Sequence, residues 1–374
     1  MQIRQRSTAR LTVAAIALGL ALALAVAMPG QAIAQTPGSK PSTVTFAVEQ
    51  DHFFSSRGAK LHAKFFAPAK AGKFPAIVYV TGGGNYSLMV DAYARNTAKA
   101  FNDAGIAVFM FDKRGQGKST GSYPVDESGD RTADSIAAFD AMARLPLVDP
   151  ERLGVWALSQ AGWFVPPVMT ARPNADFLIL LSPGGEPPIN WLASFSRGQL
   201  AQAGLRGDDM AVASALFLAL MKYQGTGEGY DATRAALAAA EGKPWHPLAR
   251  KTPNWDGLPA TAADLKTPDQ LRTDWAAKPQ DYEWLRVPAH HGSYSASYAA
   301  IKQPVLLIYG DADPLIDPAK SAKIFAEAWK GRNDATIVTF GGAGHGIQRR
   351  GMAENPMPEY LDMATLWAKR HFKP

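Results

Sequence analysis

The sequence contains no cysteine. Disulfides, thiolate metal sites and a lipid anchor attached through cysteine are therefore excluded. There is no dense block of lysine and arginine with interleaved aromatics. The net charge of +6 is spread along the chain and sits partly at its N-terminus, so nucleic acid is not an expected partner. Internal repeats and low-complexity tracts are lacking, and beyond Gly30 no apolar run is long enough to span a bilayer. A phosphate-binding loop is missing too. The segment GQGKST resembles the end of one, but such a loop needs a glycine five residues before its last, and Asp112 stands there.

What is present starts with an N-terminal leader. Arg4, Arg6 and Arg10 precede an apolar run from Leu11 to Met28, with no acid among the first ten residues, and Ala32-Ile33-Ala34 offers small residues where a signal peptidase reads. This pattern predicts a secretory signal peptide cleaved after Ala34, and hence export to the periplasm or the extracellular space. An uncleaved membrane anchor is the competing reading, since the run is of borderline length for a span. Once the leader is removed, no stable membrane association is expected. The remaining chain, about 340 residues, is ample to bury a large core.

After a polar linker, Thr43–Gln50 reads as a strand and Leu61–Phe66 as its hairpin partner. Short apolar runs then alternate with amphipathic helices. The runs are Pro75–Val80, Ile106–Phe111, Leu153–Leu158, Phe177–Leu181, Val305–Tyr309 and Thr336–Phe340. Continuous apolar strands of this kind suit a parallel sheet covered on both faces. The expected helices are Ala92–Ala104, Arg131–Leu145 with Asp130 as N-cap, Gln160–Thr170, Pro318–Lys330 and Pro358–His371. The fold class is α/β, a doubly wound sheet opened by an antiparallel edge.

Between about Gly185 and Ile301 the alternation breaks into helices, clearest at Asn190–Leu205, Asp208–Gln224 and Asp231–Glu241. The expected division is 1–34 signal peptide, 35–184 and 302–374 sheet-bearing core, and 185–301 a helical cap insertion over the sheet's carboxyl edge. Five tryptophans fall in the insertion: Trp191, Trp245, Trp255, Trp275 and Trp284. Packing is expected for most of them, with an aromatic substrate wall as the alternative.

The stretch GVWALSQAGW places Ser159 directly after a strand and before a helix. That is where a nucleophile elbow lifts a serine hydroxyl above the sheet and aims a helix N-terminus at it. The two glycine positions of the usual G-x-S-x-G are Ala157 and Ala161, the next smallest choice, and Gly162 follows. A serine nucleophile needs a base, and the base needs an orienting carboxylate. Strand PVLLIY runs into Asp311, Asp313 and Asp317, three candidate acids, and strand TIVTF runs into the glycine-rich loop that carries His345. The order Ser, acid, His is that of the α/β nucleophile-elbow enzymes. Thr81-Gly82-Gly83-Gly84 follows the first parallel strand, and glycines there let backbone N–H groups approach a ligand. The Gly83 and Gln160 N–H groups are the expected oxyanion donors.

These residues resemble the α/β-hydrolase superfamily, in particular its secreted bacterial esterase and peptidase-like branch. There the elbow often reads G-L-S-Q-G-G-W, and ALSQAGW is close to it. The segment Asp112-Lys113-Arg114-Gly115-Gln116-Gly117-Lys118-Ser119 is similar to the D-x-R-G-x-G-x-S turn of the same superfamily, where it is structural. The resemblance implies an α/β-hydrolase fold from about residue 43 to the C-terminus. It implies Ser159 as nucleophile, His345 as base and Asp313 as acid, because Asp313 matches G-x-x-D; Asp311 and Asp317 remain candidates. The alanines at 157 and 161 depart from the commonest pattern.

The expected function is a serine hydrolase that cleaves a small, partly apolar carboxylic ester through an acyl-enzyme, with no cofactor and no metal. A peptidase or amidase, an acyltransferase and a non-catalytic binding protein are the alternatives. The related peptidases usually carry a large N-terminal propeller, for which the sequence ahead of the first strand leaves no room. His290-His291 is a poor metal pair, because adjacent residues on an extended chain point opposite ways. His52, His62 and His246 read as surface or packing residues.

Overall fold

The computed structural model describes residues 42–84, 86–123, 127–349 and 355–374. The predicted signal peptide lies outside them. An eight-stranded sheet runs in the order β1-β2-β4-β3-β5-β6-β7-β8. Its strands are β1 (Val48–Ser56), β2 (Ala59–Ala67), β3 (Phe74–Val80), β4 (Ala107–Phe111), β5 (Val148–Leu158), β6 (Phe177–Leu181), β7 (Val305–Gly310) and β8 (Ala335–Phe340). Strand β2 pairs antiparallel with both β1 and β4. From β4 to β8 every pairing is parallel. This is the doubly wound sheet with an antiparallel edge that the apolar runs predict.

The strands β3 to β7 are apolar on both faces because helices cover both. In β5, Val155 and Ala157 join the core beneath α2 (Thr132–Ala143) and α3 (Ala161–Ala171). Trp156 points the other way, toward α1 (Ala92–Asp103) and α12 (Pro358–His371). There Trp156 stacks on Tyr79 at 4.2 Å and donates from Nε1 to the Tyr360 hydroxyl at 3.1 Å. The period-two alternation thus feeds two separate cores.

Several boundaries differ from the sequence reading; β5 begins at Val148, five residues before the expected Leu153. The first strand is displaced toward the C-terminus, because β1 pairs with β2 from Val48 opposite Ala67 to Ser56 opposite Ala59. Its turn is Arg57-Gly58, with φ of 40° and 77°, the primed geometry that fits strand twist. Asp130 is not an N-cap. A π-helical turn, Glu127–Arg131, runs directly into α2. Asp130 instead pairs with Arg57 at 3.3 Å and lies 3.8 Å from Arg114.

Between β6 and β7 lie α4 (Pro188–Gln202), α5 (Gly207–Thr226), α6 (Tyr230–Ala240), α7 (His246–Ala249), α8 (Pro268–Ala277), α9 (Pro279–Tyr282) and α10 (Ser295–Ala300). Helix α11 (Pro318–Ala328) joins β7 to β8. Trp245 and Trp255 are buried in this helical segment. Trp275 donates to the Gln224 carbonyl at 3.0 Å. No helix among the described residues is long and apolar enough to cross a membrane.

Candidate active site

Ser159 stands between β5 and α3 with φ of 57°. A left-handed backbone at a serine is a strained state that the surroundings must hold. They do so through backbone bonds. The Ser159 N–H donates to the Leu181 carbonyl at 2.7 Å, and the Gly162 N–H donates to the Ser159 carbonyl at 2.9 Å. The close approach that the elbow demands falls on neighbouring glycines. A Cβ on Gly82 would sit 2.8 Å from Ser159 Cβ, and one on Gly162 would sit 2.6 Å from Pro183 Cβ. Ala157 and Ala161 are fully buried. Alanine suffices at those two positions because Gly82 and Gly162 provide the clearance.

His345 comes from the loop after β8. The Ala312 N–H donates to the Ala343 carbonyl, the Gly344 N–H to the Gln348 carbonyl, and the Tyr93 hydroxyl to the Gly346 carbonyl at 2.7 Å. A Cβ on Gly310 would lie 2.2 Å from the Ala343 oxygen, so the β7 and β8 loops can meet only over a glycine. His345 Nε2 lies 2.7 Å from Ser159 Oγ, and its Nδ1 lies 2.7 Å from Asp313 Oδ2. A carboxylate only accepts, so Nδ1 carries the proton and Nε2 is free to accept from the serine hydroxyl. His345 is 7% exposed and the Asp313 side chain is fully buried.

The three acids after β7 separate by what they face. Asp313 reaches His345 with one oxygen and accepts from the Leu315 and Ile316 N–H groups with the other, at 2.8 and 3.3 Å. Asp311 accepts from the Gly342 N–H at 2.6 Å. Asp317 caps α11 by accepting from the Lys320 N–H at 3.0 Å. The loop holding Gly83 packs on the elbow through Gly82, whose notional Cβ would lie 3.1 Å from the Gln160 nitrogen.

A small cavity of about 10 Å³ adjoins Ser159 and His345, walled by Gln160, Trp163, Gly184, Trp191, Leu315 and Ile316. Trp163 and Trp191 meet edge to face at 5.8 Å. Each indole is pinned by its N–H, Trp163 to the Glu186 carbonyl at 2.8 Å and Trp191 to the Leu315 carbonyl at 2.9 Å.

A family model described as serine aminopeptidase, S33, matches residues 73–217. Among solved structures, the Pyrococcus furiosus esterase Pf2001 superposes with a TM-score of 0.54 at 15% identity, covering 92% of this chain and all of its own. The chain has the α/β-hydrolase fold. The proline iminopeptidase of Mycobacterium smegmatis (TM-score 0.51, 17% identity, 86% and 98% covered) shares this fold. So does Est1E of Butyrivibrio proteoclasticus, solved with ferulic acid (0.50, 19%, 85% and 96%). In sequence the chain is 29% identical over 124 residues to the acyltransferase drtE of Aspergillus calidoustus, across 33% of this chain and 39% of that one. It is 30% identical over 113 residues to the thiohydrolase aneE of Aspergillus aculeatus, across 29% and 33%. The matched stretches span between a third and two-fifths of those relatives' lengths.

The structure thus brings Ser159, His345 and Asp313 into one hydrogen-bonded chain and leaves Asp311 and Asp317 outside it. The sequence reading missed Trp163 as a wall. It lies four residues after Ser159 on α3, one helical turn on, and that spacing was the available signal. His290 and His291 face separate backbone carbonyls, of Trp284 at 2.8 Å and Leu285 at 2.6 Å. Among the described residues no cluster of three or more His, Asp or Glu could hold a metal.

Proposed function

We propose that this hydrolase cleaves carboxylic esters of short-chain acids through an acyl-enzyme on Ser159. The observation that carries the reading is the unbroken chain from Ser159 Oγ through His345 to Asp313, at 2.7 Å on each side of the imidazole. His345 Nε2 takes the hydroxyl proton as Oγ attacks the ester carbonyl. Asp313 holds the tautomer and stabilises the imidazolium that forms. The N–H groups of Gly83 and Gln160 receive the oxyanion, each worth about 3 kcal/mol in the transition state. His345 then protonates the leaving alkoxide, and water attacks the acyl-enzyme by the same steps in reverse.

The cavity argues for a short acyl group. Its volume of about 10 Å³ is room for roughly one water. Trp163, Trp191, Leu315 and Ile316 give it an apolar side, and both indole N–H groups are already committed, so that side offers an acyl chain contact but no hydrogen bond. Acyl transfer to an alcohol is the second reading, favoured by relatives named acyltransferase and polyketide transferase. The reading of a secreted bacterial protein with a leader cleaved after Ala34 and no stable membrane association rests on the sequence of residues 1–34.

The test is a series of p-nitrophenyl esters from acetate to octanoate, with a peptide p-nitroanilide alongside, on wild type and Ser159→Ala. Acetate is the expected preferred substrate. Ser159→Ala is expected to lose turnover by a factor on the order of 10⁴ or more while keeping its melting temperature. A fluorophosphonate should add mass at Ser159 and nowhere else. Wild-type rates in Ser159→Ala overturn the proposal. Added alcohols that divert the acyl group from water would favour transferase over hydrolase.

A further inference from the structure

The loop that carries Gly83 is held from behind by two buried basic side chains. Lys113 Nζ contacts the carbonyl oxygens of Gly82 at 3.5 Å, of Gly83 at 3.2 Å and of Gly84 still more closely. Arg131 Nη2 donates to the Thr81 carbonyl at 2.5 Å and the Gly82 carbonyl at 3.1 Å, while Nη1 donates to Gln160 Oε1 at 3.2 Å. Lys113 is 2% exposed and Arg131 4%. Aromatic rings flank both: Tyr86 and Tyr123 lie 4.9 and 5.5 Å from Lys113 Nζ, and Phe164 lies 4.3 Å from the Arg131 guanidinium.

Such a placement works against stability. Burial first, and the Arg131 charge second, push the Lys113 pKa well below the usual lysine range. Among the described residues, the hydrogen-bond acceptors of Lys113 are all carbonyls of this one loop. Lys113 occupies the variable position of the turn Asp112-Lys113-Arg114-Gly115, whose other members serve the scaffold. Asp112 accepts from the Leu88 N–H at 2.7 Å, and Arg114 pairs with Asp134 through two bonds of 2.8 Å.

Elementary peptide geometry gives these contacts a consequence. In a trans peptide the C=O of one residue and the N–H of the next point in opposite directions. Drawing the Gly82 carbonyl toward these side chains therefore turns the Gly83 N–H away from them. The Gly83 carbonyl contact does the same for the Gly84 N–H. Glycine peptides have the widest rotational freedom, so a run of three would otherwise rotate between orientations. Arg131 also grips the side chain of Gln160, the residue that supplies the second donor.

We propose that Lys113 and Arg131 are positioning residues for the oxyanion hole: they lock the peptide planes of Thr81–Gly84 so that the Gly83 N–H faces Ser159, and Arg131 ties that loop to Gln160. The inference rests on the ester-hydrolase reading. The two basic side chains act on the transition state and not on substrate binding.

The test compares wild type, Lys113→Met and Arg131→Gln on p-nitrophenyl acetate, with a trifluoromethyl ketone as inhibitor. That ketone forms a hemiketal on the serine whose oxyanion needs the same donors. In each folded variant kcat should fall by about 10-fold to 100-fold with KM changed less than about threefold. The inhibition constant should rise by a factor matching the loss in kcat. Lys113→Arg, which keeps a basic group against the carbonyls, should recover part of the rate. A folded Lys113→Met with unaltered kcat overturns the inference. So does a kcat loss without a matching loss in ketone affinity, or a failure of both variants to fold, which would make the two side chains props of the scaffold. A wild type inert to ester and fluorophosphonate removes the functional reading itself, a different result from an active wild type whose variants are unaffected.

Discussion

The loops at the carboxyl edge of the sheet and the helical segment above them reach the same small cavity by different means. The loops are fixed by backbone bonds and glycine clearances: Ser159 through Leu181, the β7 and β8 loops through Gly310. The helical segment contributes through one large side chain, Trp191, on α4. The next residue, Leu192, lines a separate cavity of about 590 Å³ between α5, α8 and α9. That volume is typical of a small-molecule site, yet neither Ser159 nor His345 borders it. Under the proposed function, the sheet edge supplies the attacking group and the helical segment walls the space beside it.

The sharpest way to break this comparison is at the acid. Asp313→Asn keeps the size of the side chain and can still accept from the Leu315 and Ile316 N–H groups, but it removes the charge that faces His345. The expected loss in kcat is about 10³-fold to 10⁴-fold, from the wrong imidazole tautomer. Asp317→Asn should stay within about threefold of wild type, because asparagine also serves as an N-cap. Steady-state rates on a p-nitrophenyl ester check both. Equal effects at the two positions would mean that the strand end does not select one acid.

How much of this was legible follows from where the information lies. The strands β3 to β7 could be read as apolar runs because burial on both faces leaves few polar positions in them, whereas β8, partly exposed at the sheet edge, was legible through its β-branched residues. The first strand is half exposed at the sheet edge, so its alternation was weak and its register was set by a turn, Arg57-Gly58, that the apolar pattern does not encode. Ser159 was legible through its strand-turn-helix context in spite of the two alanines. The choice among Asp311, Asp313 and Asp317 was not legible from position, because all three follow the same strand; only the family resemblance or the coordinates separate them. The start of α2 was misread, since a π-helical turn leaves Asp130 facing arginines and not the helix end. Nor could five tryptophans in one segment be ranked, because which of them reaches Ser159 is decided by long-range packing.

Trp191→Ala tests the other side of the comparison and carries the next largest effect. The indole stacks on Phe195 at 5.7 Å, meets Trp163 at 5.8 Å and closes the small cavity. Its removal should raise kcat/KM for hexanoate relative to acetate by about 10-fold or more, since each methylene seated in an apolar pocket is worth roughly 10-fold to 200-fold. The folded state should lose about 3 kcal/mol, as a buried tryptophan leaves a cavity behind. The acyl-chain series and a urea titration measure the two effects. An unchanged chain-length preference would take the size filter away from the helical segment.

The smallest effect is expected at the rim of the large cavity, and there the prediction is that chemistry does not change. Asp274 pairs with Lys266, and the Tyr282 hydroxyl donates to it at 3.2 Å. The Lys266 hydrogen bond, above all, holds the Asp274 carboxyl below the usual aspartate range. A group whose pKa is depressed by folding adds stability above its unfolded value, near 3.9, and loses it as pH falls through the lower folded value. Asp274→Asn should therefore cost about 0.5 kcal/mol at pH 7, the scale of a half-exposed ion pair, and the gap to wild type should close below about pH 3 to 4. Urea midpoints at pH 7, 4 and 3 would show it. Ester kcat/KM should be the same in both proteins, because this rim and Ser159 border different cavities. A change in turnover of several-fold would mean that the two cavities communicate through α4, and that the helical segment governs the reaction through more than the single indole of Trp191.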